Sequence, residues 1–294
     1  ENNVDVPLNT TIEATLANLV DAGSVSSDSM VVNGVMAMPV DGVLDVSDYT
    51  VTFDPDWDFW PGDIISTTIT STMTAEGASV VPYVWQFRTT ASSGTGIFTD
   101  SGQSMGSYDG SDVNFGDFDG DGDLDLHVAD YSMPNAIWLN DGVGNFTNSG
   151  QGIGSYLSIA SAIGDLDGDG DLDVFEGNYN QGDRVWLNDG TGTMIHSGQH
   201  IGLTSTRHVA LGDLDGDGDL DAYITNATHG DTVFINDGSG VYTDSGQSLG
   251  SEYGFNVALA DLDTDGDLDA FVANYNEPSK VWYNDGTGIF SDSG

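Results

Sequence analysis

The sequence predicts an all-β protein in two parts: a β-sandwich, then a β-propeller-type array of four 48-residue, four-stranded repeats. Three observations support this fold class. An acidic motif recurs four times at a constant interval of 48 residues. The segments flanking each copy are short and rich in apolar and β-branched residues, which favours strands over helices. Residues 1–90 do not contain the 48-residue repeat, but their apolar and polar residues alternate along the chain.

The composition excludes several classes of protein. With 294 residues, 38% of them hydrophobic, the chain has enough apolar side chains for packed cores. Forty-eight acidic residues against four basic ones give a formal charge of −44, which excludes nucleic acid and anionic membrane surfaces as partners. The absence of cysteine excludes disulfides, cysteine-ligated metals and thiol catalysis.

The apolar segments also bear on the cellular location. No apolar run approaches the length of about 18 residues that a membrane-spanning helix needs, so membrane insertion is not expected. The chain opens with Glu1, and we expect a mature, soluble product whose export signal has been removed. The expected location is extracellular, either secreted or at the cell surface.

The first predicted domain, residues 1–90, is the β-sandwich. Its alternating segments are separated by turn residues at sandwich-like spacing, and they cover 10–16, 49–53, 64–70 and 84–89. Residues 91–96 (Ala-Ser-Ser-Gly-Thr-Gly) are small and polar, as is typical of a linker. The second domain, residues 97–294, is the repeat array.

Each repeat is predicted to contain four antiparallel strands. In the third repeat, the strands cover 209–214, 220–225 and 232–235, and the last starts at 241. The sequence Asn-Asp-Gly at 236–238 is a hairpin signal, because these residues tolerate positive φ. Four strands in 48 residues match a propeller blade. One aromatic position in the third strand is expected to pack between blades, at Trp138, Trp186, Phe234 and Trp282.

The acidic motif places five aspartates within nine residues. Close carboxylate pairs repel one another by about 1 kcal/mol even at the dielectric constant of water, so a cation is expected among them. Hard divalent cations take six to eight oxygen ligands, and alternate residues of a tight loop can direct oxygens at one centre. In the first loop we expect side-chain ligation by Asp117, Asp119, Asp121 and Asp125, the carbonyl of Asp123 as a further ligand, and Gly122 at the turn.

Calcium fits this pattern better than magnesium, because the loop offers many carboxylates and no phosphate partner. About four calcium ions are expected, one per repeat. The other predicted ligands are Asp165, Asp167, Asp169, Asp171 and Asp173 in the second repeat, Asp213, Asp215, Asp217, Asp219 and Asp221 in the third, and Asp261, Asp263, Asp265, Asp267 and Asp269 in the fourth.

The repeats resemble a known family. The segments GDFDGDGDLDLHVAD (116–130) and IWLNDGVGNF (137–146), with their later counterparts, resemble the FG-GAP/VCBS repeats of integrin-type β-propellers. This resemblance implies a D-x-D-x-D-G-x-x-D loop that holds calcium between the first two strands of each blade. Residues 1–90 resemble a bacterial Ig-like domain through VPLNTTIEATL, VTFDPDWDFWPGD and WQFRTT, which implies a spacer or docking unit of a secreted protein.

The number of blades is open at the level of sequence. The array begins with Ile-Phe-Thr-Asp-Ser-Gly (97–102) and ends with the closely similar Ile-Phe-Ser-Asp-Ser-Gly (289–294), so both ends offer the same strand. Three arrangements are compatible with this duplication: a closed four-bladed ring with one redundant strand, part of a larger ring, or an array whose surplus strand pairs with another molecule.

No set of catalytic residues recurs in the sequence. The leading hypothesis is therefore a non-enzymatic structural or adhesion protein. Its repeats would be stabilised by calcium and would present a contact surface to protein or glycan at the cell surface. We expect this surface on the loops at the end of each blade opposite the acidic motif, at 107–109, 130–131, 155–157, 178–180, 205–207, 226–228, 252–254 and 274–276. Tyrosines beside Asn, Ser and Asp, as in several of these loops, are typical of contact surfaces. One alternative is a subunit of an extracellular filament, joined to other copies through its end strands or the Ig-like domain. Another is a carbohydrate-binding accessory region of a larger secreted enzyme.

Overall fold

The computed structural model describes residues 3–34, 40, 42–59, 62–90, 100–105, 109–154, 157–202, 205–251 and 253–294. The predicted linker at 91–96 lies outside these ranges. Within them the chain forms 25 strands and two single-turn 3-10 helices, Ala22–Ser24 and Ser27–Ser29. No helix in this part of the chain has the length and apolar character needed to cross a membrane. The all-β prediction is confirmed.

Residues 3–90 form a two-sheet sandwich. One sheet has the order β1 (Asn3–Val6), β9 (Tyr83–Thr89), β6 (Ile64–Ile69), β3 (Met30–Gly34). The other has the order β2 (Ile12–Thr15), β5 (Thr50–Pro55), β4 (Gly42–Ser47), and β7 (Thr74–Ala75) pairs with β8 (Ala78–Ser79). Alternate residues such as Val32, Val51 and Ile65 point between the sheets and are almost completely buried, which explains the period-2 pattern of the sequence.

Each 48-residue repeat forms one four-stranded antiparallel sheet whose strands follow chain order. The strands of the first repeat are β10 (Gly110–Gly116), β11 (Asp125–Asp130), β12 (Ala136–Asn140) and β13 (Phe146–Asn148). Those of the second are β14 (Ser158–Gly164), β15 (Asp173–Asn178), β16 (Arg184–Asn188) and β17 (Met194–His196). Those of the third are β18 (Thr206–Gly212), β19 (Asp221–Asn226), β20 (Thr232–Asn236) and β21 (Tyr242–Asp244). Those of the fourth are β22 (Gly254–Ala260), β23 (Asp269–Asn274), β24 (Lys280–Asn284) and β25 (Phe290–Asp292).

The first strand of the third repeat ends earlier than predicted, at Gly212 instead of residue 214. The reason is local: the backbone N–H of Leu214 donates to Oδ2 of Asp221 (2.8 Å) and so leaves the strand ladder for the acidic loop. The remaining strands of this repeat agree with the prediction to within about one residue.

The four sheets pack side by side in sequence: β10 contacts β14, β14 contacts β18, and β18 contacts β22. Apolar residues fill each junction, as where Phe118 of the first repeat packs with Leu172 and Val174 of the second. Three of the aromatic residues predicted to lie between repeats, Trp186, Phe234 and Trp282, belong to these junction clusters. Trp138 is buried instead among residues of the first repeat and Met105. Among the described residues, no comparable packing joins β10 to β22, so the array is open.

Amide hydrogen bonds connect neighbouring repeats. In the second, third and fourth repeats, the Asn that begins the hairpin turn donates its Nδ2 to a carbonyl in the acidic loop of the preceding repeat. The three bonds are Asn188 to Phe118 (2.8 Å), Asn236 to Leu166 (2.8 Å) and Asn284 to Leu214 (2.7 Å). The junction between repeats is therefore defined by polar contacts as well as by apolar packing.

The sandwich lies directly on the acidic loops of the third and fourth repeats. The backbone N–H of Val84 donates to the carbonyl of Gly266 (2.8 Å), and the Val84 side chain packs with Leu214 and Leu268. A side chain at Gly266 would overlap the ring of Tyr83. The sandwich is thus a docked domain, and its docking surface is the end of the array that carries the aspartates.

Candidate metal centres and contact surface

The acidic loops connect the first two strands of each repeat at one end of the array. In the first repeat, Gly116 ends β10 and pairs with Asp125, which begins β11, so the loop between them closes on itself. Gly120 and Gly122 have φ values of 73° and 93°, and they reverse the chain where most side chains would be strained. In the fourth repeat Thr264 replaces the first of these glycines and keeps a positive φ of 69°.

The first, second and fifth aspartates converge in the first three loops. Their ligand atoms lie within 4.8 Å of one another. In the fourth loop, the first three aspartates converge instead. The four trios are Asp117, Asp119 and Asp125; Asp165, Asp167 and Asp173; Asp213, Asp215 and Asp221; and Asp261, Asp263 and Asp265.

The third and fourth aspartates of the first loop have different surroundings. The Oδ1 atom of Asp121 accepts the backbone N–H of Asp123 at 3.0 Å. The carboxylate of Asp123 lies against Gly142 in the hairpin turn, where a side chain would overlap it. The Asp123 side chain thus points away from the trio, which leaves its backbone carbonyl as the candidate ligand. Ligation by this carbonyl and by the Asp121 side chain both remain predictions.

The fifth aspartate has a second role that the acidic pattern does not reveal. Asp125 is fully buried, its Oδ2 accepts the N–H of Phe118 (3.0 Å), and its Oδ1 accepts the N–H of Asn140 (2.8 Å). The same pair of bonds recurs at Asp173, Asp221 and Asp269. This carboxylate therefore ties the acidic loop to the hairpin turn, and each oxygen keeps a lone pair for a cation. In the sequence, this structural role is signalled by the Asn of the hairpin turn, which recurs every 48 residues at Asn140, Asn188, Asn236 and Asn284.

Burial makes these carboxylates difficult to ionise without a counter-charge. Desolvation raises the pKa of Asp125 to about 6, and that of Asp173 and of Asp221 to about 8, although backbone hydrogen bonds act in the opposite direction. Burial also raises the pKa of Asp213 to about 7. A divalent cation among the oxygens would supply the missing charge. Three converging carboxylates without nitrogen or sulfur ligands suit a hard cation, so the residues fit a metal site in every repeat.

The opposite end of the array carries a continuous row of aromatic side chains, here called the tyrosine row. The ring centroids of Tyr131 and Tyr179 are 6.4 Å apart. The guanidinium of Arg207 lies 5.2 Å from the centroid of Tyr179 and 5.0 Å from that of Tyr253. Tyr253 in turn contacts Tyr275 at 5.3 Å. The row thus brings together residues of all four repeats.

The sequence located the loops of this row, including the loop at 205–207, but did not single out Arg207 as the residue at its centre. Arg207 is one of only four basic residues in the chain, and it joins the tyrosines of the second and fourth repeats by cation–π contacts. Tyr131 and Tyr275, the two ends of the row, are 38% and 57% exposed to solvent. The tyrosines predicted at 108 and 156 lie outside the described residues.

Comparison with solved structures finds distant similarities. The chain is similar to Trypanosoma rangeli sialidase, with a TM-score of 0.38 and 11% identity over 94% of this chain and 57% of that one. The same enzyme in complex with the inhibitor DANA gives a TM-score of 0.36 and 11% identity over 98% and 58% of the two chains. The chain thus spans less than two thirds of either structure's length. No curated protein sequence matches it.

Family comparison is more specific. An FG-GAP-like repeat matches residues 117–176, 165–224 and 213–272, which together cover more than half of the chain. A bacterial Ig-like domain matches residues 1–89, the region that forms the sandwich. The recurring acidic loops, the four-stranded repeats and these matches agree, and the chain belongs to the FG-GAP-like repeat family with a bacterial Ig-like domain before its repeats.

Proposed function

We propose that this is a calcium-binding, non-enzymatic protein of the extracellular space or cell surface. Its repeats are held rigid by about four calcium ions and present the tyrosine row to a protein or glycan. The observation that carries this proposal is the position of the row at the end of the array that the Ig-like domain leaves free.

The chemistry of the row suits adhesion. Aromatic faces stack on sugar rings or on the side chains of a partner, and tyrosine hydroxyls add hydrogen bonds at low entropic cost. The aromatic residues of separate repeats form one continuous row only when the four sheets keep their positions relative to one another. Calcium at the opposite end would neutralise the loop carboxylates and hold that register.

The metal loops support calcium as the ion. Each supplies several carboxylate oxygens on a flexible backbone, which suits the larger ion and its six to eight ligands. Repeats and Ig-like domains of these families are typical of extracellular proteins, where calcium is abundant. An extracellular module can therefore use modest affinity at each site.

The acids outside the loops support a non-enzymatic role. Glu176 is fully buried, and its two oxygens accept hydrogen bonds from Ser158 Oγ (2.7 Å) and Trp186 Nε1 (2.6 Å). Asp183 is also buried, and it accepts bonds from Thr206 Oγ1 (2.8 and 2.9 Å) and from the N–H of Asn178 (2.7 Å). Both carboxylates are buried and engaged in hydrogen bonds within the fold, as structural carboxylates are.

Binding to a glycan array and to intact cells tests the proposal. The variant with Tyr131→Ala and Tyr275→Ala is expected to lose at least tenfold in binding, with unchanged melting in calcium, because both side chains are exposed. Trp57→Ala is the matched control, since Trp57 is an aromatic residue of the Ig-like domain that is 70% exposed. Equal binding by the double variant and the wild type would contradict a contact role for the row.

A further inference from the structure

We infer that the tyrosine row recognises carboxylated glycans: the guanidinium of Arg207 binds the carboxylate of one sugar, and the tyrosines on either side bind neighbouring sugar rings. The ligand class is an oligosaccharide that contains hexuronic acid. This inference rests on the proposed contact function of the row and names its ligand. Three observations carry it: the position of Arg207 on a β-bulge, its contacts with two aromatic rings, and the lack of a carboxylate partner among the described residues.

A β-bulge sets the position of Arg207. Thr206 and His208 of β18 pair with adjacent residues of β19, so Arg207 between them has no residue opposite it. Such an extra residue bends the strand and changes the direction of its side chain. The same shift of register occurs near the start of the first strand in the other three repeats. Each repeat therefore presents one bulged residue at the end of the array that carries the tyrosine row.

The bulged residue differs from repeat to repeat, although the bulge itself is constant. The positions equivalent to Arg207 hold Ser111, Ile159 and Phe255, so the third repeat alone places a charge there. A charge that served the packing common to all four repeats would be expected in each of them. Arg207 is therefore a feature of this one surface and is not required by the repeat fold.

Two aromatic rings hold the guanidinium of Arg207 in place. Its Cζ atom lies over the ring of Tyr179 at 5.2 Å and over the ring of Tyr253 at 5.0 Å. A guanidinium is attracted to aromatic faces, whereas its five N–H groups lie in its own plane and point outward. The aromatic contacts thus order the group and leave its N–H edge available. Because the side chain is ordered before a ligand arrives, less conformational entropy is lost on binding.

Within the part of the chain that the structure describes, no carboxylate pairs with this guanidinium. The chain has 48 acidic residues, and both Arg184 and Lys280 contact a carboxylate, at 3.9 and 2.8 Å. Arg207 has no such contact, and its Nε is buried without a hydrogen-bond acceptor. A buried N–H group without an acceptor is unfavourable, and a planar carboxylate can accept two parallel hydrogen bonds from a guanidinium edge. This edge therefore fits a carboxylate that a ligand supplies.

The tyrosines on both sides of Arg207 favour a sugar chain as the carrier of the carboxylate. Tyr131 and Tyr179 precede Arg207 in the row, Tyr253 and Tyr275 follow it, and the contacts along the row measure 5.0 to 6.4 Å. A sugar ring has an apolar face that packs on an aromatic ring and hydroxyl groups that bond with tyrosine O–H groups. A line of aromatic rings with one cation at its centre matches a chain of sugars of which one carries a carboxylate.

Binding of short hexuronate oligosaccharides to the full chain in calcium tests the inference. Galacturonate, mannuronate and glucuronate oligomers are each compared as free acids and as methyl esters, because esterification removes the charge and keeps the sugar ring. The wild type is expected to bind at least one free acid about tenfold more tightly than its ester. The measurement uses 0.15 M salt, at which the Debye length of about 8 Å screens the acidic loops at the opposite end of the array.

Three variants separate the charge of Arg207 from its packing. Arg207→Gln is expected to bind free acids and esters with nearly equal affinity, and to bind esters as the wild type does. Arg207→Lys keeps the charge without the planar group and is expected to retain only part of the preference for free acids. Arg88→Gln is the matched control, because it removes the same charge from an exposed residue of the sandwich, and it should behave like the wild type. Melting in calcium verifies that each variant is folded.

The outcomes distinguish this inference from the contact function on which it rests. Equal binding of free acids and esters by the wild type, or an unchanged preference in Arg207→Gln, would overturn the role of Arg207. Equal loss of both ligands in Arg207→Gln would also overturn it, since the side chain would then only hold the tyrosines together. If the variant with Tyr131→Ala and Tyr275→Ala still loses binding to cells in any of these cases, the contact function of the row stands without a carboxylated ligand.

Discussion

At the scale of single residues, the fifth aspartate of each of the first three loops combines a place in the candidate metal trio with a structural bridge between loop and hairpin turn. Asp221 is fully buried and belongs to the converging trio of the third loop. It also accepts the backbone N–H groups of Leu214 (2.8 Å) and Asn236 (2.8 Å), which lie on opposite sides of it. The exposed Asp237 in the neighbouring turn accepts bonds only within its own turn, from Ser239. Loss of Asp221 would therefore remove a member of the trio and two bonds between loop and turn, whereas loss of Asp237 would remove bonds within one turn.

Replacement of Asp221 by Asn is expected to weaken calcium binding at one of four sites and to lower the melting temperature. The Asn side chain lacks the negative charge of Asp221, and its NH2 group would face a backbone N–H that now donates to Asp221. We expect this to lower the free energy of unfolding by about 1–3 kcal/mol. Calcium titration by calorimetry and thermal melting measure both effects. Asp237→Asn should be nearly neutral in the same assays, and equal effects of the two variants would contradict the assigned role.

At the scale of elements, each acidic loop concentrates carboxylates whose ionisation opposes folding when no metal is bound. Burial raises the pKa of Asp173 and of Asp221 to about 8, and the pKa of Asp215 and of Asp219 to about 6. All four values lie above the ordinary 3.8 of an unfolded chain. The folded, calcium-free protein therefore holds protons more tightly than the unfolded protein does, and its stability falls as these groups ionise.

This linkage predicts opposite pH responses with and without calcium. In chelator, the melting temperature is expected to decrease as the pH rises from about 4 through about 8, the window between the unfolded and folded pKa values. In calcium, protons compete with the ion, so affinity should increase over the same range. Differential scanning calorimetry across this range checks both trends. A calcium-free protein that became more stable toward pH 8 would show that these carboxyls are not buried as described.

At the scale of the whole molecule, the Ig-like domain and the array share one set of contacts. Val84 belongs to β9 of the sandwich, yet its side chain lies in the apolar cluster of the third and fourth repeats and its N–H bonds Gly266. Gly218 of the third loop lies against Val31 and Thr70 of the sandwich. The acidic loops are therefore both candidate metal centres and the surface on which the sandwich docks, so the position of the sandwich depends on the order of these loops.

Removal of calcium is expected to release the sandwich from the array without unfolding it. Hydrogen exchange followed by mass spectrometry or NMR should show faster exchange at the amide of Val84, because its acceptor lies in the fourth loop. The amide of Phe87 is the internal control, since it lies within the β6–β9 ladder opposite Ile65. Unchanged protection of Val84 in chelator would mean that docking is independent of the metal loops.

The sequence by itself determined the features that depend on neighbouring residues. The constant interval located four repeats, the alternation of Val209 and its neighbours predicted strands, and Asn-Asp-Gly predicted hairpins, because turn preference and strand period are local properties of the chain. The acidic pattern located the candidate metal loops for the same reason. It did not separate the trio from Asp121 and Asp123, because the direction of a loop side chain depends on the hydrogen bonds that it finds.

Only the tertiary structure decided which distant surfaces meet. The docking of Val84 on Gly266 and the row joined by Arg207 both depend on how whole sheets are placed. Val84 illustrates the difference. It lies on a strand of the sandwich, yet its side chain is buried in the apolar cluster of the third and fourth repeats, because burial depends on which sheet lies beside a residue and no local pattern encodes that.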